Sequence, residues 1–257
     1  MVSKMKHKQS PQKTNLPPAV RVGIALVLPL VGALFLSLAA GGITADPANR
    51  TGALIPLFAG LGIISWFLGL RWYGLAELGL RGGRPLFASI SFAVLGWVAL
   101  LITRFYFVEI LGYDSGFDEF FYRLIFEAFC VQLWAFGLLF RSIAAWRGPM
   151  TAAIASGVCF GLIVSLFFQE APDRAAVTSV LYFVVWGVFY GIIRLRTGSL
   201  LGSSLVQALQ SFTVWVVLAP DLASTVNQFS SLYIATTLAY FIFIWRLWPK
   251  AEEDYRV

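Results

Sequence analysis

The chain has 257 residues, of which 59% are hydrophobic and only 12% charged, with a mean hydropathy of +0.79. Soluble domains carry roughly 25% charged residues, so a soluble globular protein is excluded. The net charge of +6 lies in short segments beside apolar runs rather than in a basic domain, which argues against nucleic-acid binding.

Taken from the amino terminus, residues 1–19 (MVSKMKHKQSPQKTNLPPA) are polar, basic and proline-bearing, and are read as a disordered tail. Eight apolar runs follow, at about 20–40, 52–70, 86–108, 120–140, 150–168, 175–193, 199–219 and 225–247. Each approaches the roughly 20 residues that a helix needs to cross a bilayer core of about 30 Å. The breaks between them carry turn chemistry: GGITADPANRTG at 41–52, GLRGGRP at 79–85, WRGP at 146–149, QEAPDR at 169–174 and RLRTGS at 194–199. The chain closes on a short charged tail, PKAEEDYRV, at 249–257. Lipid offers no partners for unpaired backbone groups. The expected fold is therefore all-α, a polytopic bundle of about eight transmembrane helices over 20–248, with no repeat or second domain. The first run begins like a secretory leader, but its apolar stretch exceeds the usual span of about 7–15 residues, so a retained helix is expected. Cys130 and Cys159 fall in different spans and suggest neither a disulfide framework nor a metal motif; buried small side chains are expected for both.

Orientation follows from the cations. If the amino terminus is cytoplasmic, the inner segments hold Lys4, Lys6, Lys8, Lys13, Arg21, Arg71, Arg81, Arg84, Arg141, Arg147, Arg194, Arg196, Arg246, Lys250 and Arg256. The outer segments hold only Arg50, Arg104, Arg123 and Arg174. This asymmetry predicts both termini in the cytoplasm of an integral protein of a bacterial inner membrane. All of these cations are read as loop or rim residues.

Chemistry-bearing side chains are few. The sole histidine is His7, in the tail. Metal and haem sites lean on histidine or clustered carboxylates, so no metal or cofactor is expected. The acids within or beside spans are Glu109, at a helix end, and Glu127, which Arg123 can pair one helical turn away. The uncharged polar residues there are Gln132, Gln207, Gln210, Asn227 and Gln228, and such amides commonly bridge helices. Gln132, Gln207, Gln210, Arg123 and Glu127 are the binding candidates. Nine tryptophans, within an aromatic share of 16%, suit lipid interfaces, pigment contacts or protein contacts.

Four segments, in order, resemble the CPBP family of CAAX proteases and bacteriocin-processing proteins over about residues 70–215. YGLAELGLRGGRP (73–85) is similar to the segment that opens the family's core. QLWAFGLLF (132–140) sits where the family carries Glu-Glu-x-x-x-Arg, FGLIV (160–164) where it carries Phe-x-x-x-His, and RTGSLLGSSLVQALQSF (196–212) where a Thr-Gly-Ser turn precedes His-x-x-x-Asn. Carried over by position, the resemblance puts Gln132 and Leu133 at the glutamates and Gly137 at the arginine. Val164 and Gln207 then stand at the histidines and Ser211 at the asparagine, with only Phe160 kept. Family membership implies intramembrane peptide cleavage by water that the acids and histidines activate. Glutamine can orient a water but cannot take its proton, and leucine and valine can do neither. The expectation is a catalytically inactive protein, a scaffold or accessory subunit bound to another membrane protein or to a hydrophobic ligand or pigment within the lipid bilayer. The alternative is a CAAX-type peptidase that uses relocated acids, Glu127 with Glu109. The family's first and third motifs converge on one centre, so Gln132 and Gln207 are expected to meet.

Overall fold

A computed structural model describes residues 16–40, 50–112, 117–167, 176–220 and 226–256. Most of the basic tail with His7, and most of the turn segments at 41–52 and 169–174, lie outside the described residues.

The apolar runs form α1 (Pro18–Ala39), α2 (Arg50–Trp72) and α3 (Arg84–Phe107). The fourth is one continuous helix: α4 (Phe117–Tyr122), the π-helical stretches π1 (Arg123–Cys130) and π2 (Leu133–Leu139), and α5 (Phe140–Arg147). After it come α6 (Pro149–Phe167), α7 (Ala176–Thr197), α8 (Leu201–Phe212) running into π3 (Thr213–Val217), and α9 (Val226–Leu247). Among the described residues, seven helices are long and apolar enough to cross a membrane. The seventh run, expected over 199–219, yields only α8 with π3. Gly198 stops α7 at a φ of 73°, and the backbone leaves helical geometry at Leu218. The chain is an integral membrane helical bundle. A feature that the all-α reading did not foresee is a minimal antiparallel ribbon, β1 (Ile110–Gly112) with β2 (Ala219–Pro220), in which Ile110 faces Pro220. It joins the ends of α3 and π3, where the backbone leaves helical pairing and needs partners.

Local chemistry explains several joints. Pro18 and Pro149 stand at first helical positions, where a missing N–H costs nothing. Pro29 inside α1 cannot donate to the carbonyl four residues back, Ala25. The indole Nε1 of Trp134 donates to that carbonyl at 3.1 Å and so fixes α1 against π2. α6 and α7 lie backbone to backbone. A Cβ on Gly157 would come 2.6 Å from the Gly187 carbonyl oxygen, and Gly161 and Gly191 are similarly closed off. Gly157 with Gly161, and Gly187 with Gly191, are two G-x-x-x-G pairs, the spacing that lets membrane helices approach closely.

Two arginines depart from the loop-or-rim reading. Arg104 is fully buried, and its Nε and Nη2 donate to the Leu218 carbonyl at 3.1 and 2.9 Å, closing the end of π3. Arg194 is equally buried; its Nε donates to the Phe136 carbonyl at 3.1 Å and its Nη2 to the Glu77 carbonyl at 2.8 Å. Each serves carbonyls released by irregular backbone, a demand that loop counting cannot see. The carboxyl tail is likewise docked. Arg256 N–H donates to the Leu195 carbonyl at 3.0 Å, Arg81 Nη1 donates to the Arg256 carbonyl at 2.7 Å, and Arg196 pairs with Asp254 at 2.8 Å. The two cysteines are partly rather than fully buried; Cys130 packs against Gly62 of α2.

Candidate functional site

The site lies where the long fourth helix faces α8. In an α-helix, residues five apart are separated by about 140° of rotation; the wider π turn, closed by i→i+5 bonds, brings them nearer one face. Glu127 and Gln132 are five apart, and both turn toward α8. On α8, Ser203, Gln207 and Ser211 recur every fourth residue and form the facing stripe.

At the centre, Gln132 Nε2 donates to Gln207 Oε1 at 2.8 Å, and Ser203 Oγ donates to Gln132 Oε1 at 2.7 Å. The Ser203 hydroxyl also lies 2.9 Å from the Leu200 carbonyl. Gln132, Gln207 and Ser203 are all buried, with exposures of 1% or less. The contact expected between Gln132 and Gln207 is therefore present. Gln210, one turn further on α8, points elsewhere: its Nε2 donates to the Tyr182 hydroxyl at 3.1 Å, and its Oε1 is buried without a partner.

One end of the stripe is charged. Arg123 bridges two carboxylates, Glu127 at 2.7 Å and Glu119 at 2.8 Å. The Glu127 side chain is only 2% exposed. Ser211 lies beside its carboxylate, although the Ser211 Oγ makes no hydrogen bond of standard geometry. Glu109 is exposed beyond α3, in an open depression lined also by Tyr106 and Gln228. Among the described residues no hydrogen bond or ion pair joins it to Glu127. Asn227 is exposed near the start of α9.

The remaining motif positions are apolar in surroundings as well as in type. Leu133 packs with Leu78 and Leu200 in a small cluster of its own. A Cβ on Gly137 would meet the Leu133 side chain at 3.2 Å and the Leu78 carbonyl at 3.3 Å, so any side chain there would press on both. Phe160, on α6, contacts Phe136 at 5.2 Å, Trp186 at 5.5 Å and Tyr190 at 6.1 Å between ring centroids. Val164, one turn on, is buried in the same core. No hydrogen bond or ring contact among the described residues links these two to the glutamines.

Three positioning residues escaped the sequence reading. Ser203 could have been found from its four-residue spacing with Gln207 and Ser211. Arg194 and Glu77 could not. The Glu77 carboxylate pairs with Arg141 and lies 3.8 Å from Arg81, while its backbone carbonyl receives Arg194. Together they seat the 73–84 segment under the Leu133–Leu78–Leu200 cluster.

No curated protein matches the chain. The family model described as Type II CAAX prenyl endopeptidase Rce1-like matches residues 115–213. That span is less than half the chain, but it contains the three motif segments at 132–140, 160–164 and 196–212, and leaves out the segment at 73–85. Over residues 115–213 the chain is thus similar to the Rce1-like type II CAAX prenyl endopeptidases.

Proposed function

We propose that this CAAX protease-type membrane protein is non-catalytic and serves as a scaffold or accessory subunit, holding another integral membrane protein or a hydrophobic ligand. In this reading α8 with π3 completes an eighth, shorter crossing, so that both termini lie on the cytoplasmic side of a bacterial inner membrane. The observation that carries it is the closed triad Gln132–Gln207–Ser203, at positions where the family's glutamate and histidine resemblance would require a proton acceptor. An amide has no accessible basic pKa, and general-base catalysis needs a group that titrates near the working pH. The close apolar contacts at Gly137 and the aromatic packing of Phe160 support the same conclusion, because neither position offers a group that activates water. The experiment is cleavage of farnesylated and unmodified membrane peptides by the purified protein, together with copurification under mild detergent. Absence of turnover with a stoichiometric membrane partner is expected; turnover by the wild type would overturn the reading.

A second reading, a hydrolase with Glu127 as base, is favoured by one observation: Glu127 reaches the same stripe and lies beside Ser211. Its proposed companion Glu109 has no part in it. Turnover abolished by Glu127→Gln would establish this alternative.

Simple repair should not restore activity. The family's groups act as a unit, and such units are grossly non-additive. Gln132→Glu with Leu133→Glu would place the second carboxylate among Leu78 and Leu200, with glycine at 137 and so no arginine to balance it. Loss of folded protein without turnover is the expected result.

A further inference from the structure

We infer that the arginine-rich end of the bundle carries a site for the phosphate group of an anionic phospholipid, framed by Arg21, Tyr73 and Arg141. This is independent of whether the chain is catalytic. Tyr73, just past the end of α2, is held by a 3.0 Å hydrogen bond between its hydroxyl and Ser142 and by an edge contact with Trp72. The guanidinium carbons of Arg21, from α1, and Arg141, from α5, lie 5.9 and 6.0 Å from the centre of this one ring. The ring orients both cations but neutralises neither.

Their donors are not used up. Arg21 has no ion pair among the described residues, and its Nε is buried without a hydrogen-bond partner. Arg141 pairs with Glu77, but its Nε is also buried and unpartnered. Glu77 is shared with Arg81. The fully buried Arg194 lies within electrostatic reach of Arg81 and Arg141 and keeps an unpartnered Nη1. Arg81, Arg141 and Arg194 therefore share a single carboxylate, and Arg21 adds a further cation at the Tyr73 ring that Arg141 also faces. A tetrahedral phosphate can accept from two planar forks at once, which is the geometry arginine serves best. The place suits a lipid headgroup. The site lies at the mouth of α1, and on α5 the exposed Trp146, with Arg147 4.4 Å over its ring, marks the level of the interface. Basic residues at that level draw anionic lipids.

The test uses the full chain, purified and delipidated in detergent micelles. Retention of phosphatidylglycerol and of phosphatidylcholine is read by native mass spectrometry, with thermal unfolding alongside. The wild type should retain phosphatidylglycerol selectively. Arg21→Gln should weaken this by about fivefold or more, the usual effect of one juxtamembrane cation. Arg71→Gln and Arg246→Gln, at exposed arginines without a ring partner, should change it by less than about twofold. Arg21→Lys, which keeps the charge but not the fork, should recover only part of the loss and keeps the test available if the glutamine variant does not fold. Equal losses in all the variants, or full recovery with lysine, would overturn the site in favour of a diffuse basic rim. Millimolar inorganic phosphate provides the remaining arm. Stabilisation by phosphate alone, dependent on Arg21 and without lipid selectivity, would overturn the lipid as the source.

Discussion

Gln132→Leu tests the centre of the site most directly. The substitution keeps most of the side-chain volume and deletes two buried hydrogen bonds, at 2.8 Å to Gln207 and 2.7 Å from Ser203. Ser203 loses little, because its hydroxyl can still donate to the Leu200 carbonyl at 2.9 Å. Gln207 loses more: its Oε1 forfeits a donor at a position only 1% exposed. An orphaned buried acceptor costs about 1–3 kcal/mol, whereas polar pairs between membrane helices average about 0.6 and reach about 1.7 kcal/mol. The expected loss is about 1–1.7 kcal/mol, where these ranges overlap. Gln207→Leu should cost a similar amount, since it orphans the amide of Gln132. The double variant should cost less than the two singles together, with a coupling of about 0.5–1.5 kcal/mol. Unfolding in mixed micelles titrated with dodecyl sulfate and followed by tryptophan fluorescence supplies all four corners of the cycle. Single costs that add to the double within about 0.3 kcal/mol would show that the two amides do not depend on each other, and would refute the closed triad as an energetic unit.

Gly157→Leu should abolish or severely reduce folded protein, because overpacking alone costs about 1–3 kcal/mol and here the new side chain meets the Gly187 backbone; normal expression and melting would refute the close approach of α6 and α7. The Asp254 carboxyl is held below its ordinary value, first by the Lys250 N–H that it accepts and also by Arg196. Docking of the carboxyl tail should therefore be intact above the ordinary aspartate range and be lost as pH falls through the lowered folded value. Hydrogen exchange of the Lys250–Arg256 amides should show this, and protection unchanged at acid pH, or in Asp254→Asn at neutral pH, would contradict it. Topology reporters fused after Lys250 and within 41–50 should report opposite sides; the same side for both would refute the proposed orientation.

Composition alone made the class of the protein legible. Apolar length and scarce charge leave only membrane helices, since a bilayer tolerates no unpaired backbone, and the order of the motif segments foretold the contact between Gln132 and Gln207. The pairing of Arg123 with Glu127 was equally legible, being a matter of local helical spacing. Tertiary structure decided what lies far apart in sequence. Arg104 and Arg194 look like rim cations in a linear count, yet both are buried, because carbonyls released at Leu218 and Phe136 need donors that only another helix can bring. The π stretches of the fourth helix are invisible to a periodicity of 3.6, and they help bring Glu127 and Gln132, five residues apart, to the side that faces α8. The neighbours that a side chain at Gly137 would meet include Leu78 and Leu200, from segments about sixty residues away on either side. Hydropathy is a property of each residue and survives in the one-dimensional string; hydrogen-bond satisfaction and excluded volume are properties of pairs, and exist only once the helices have packed.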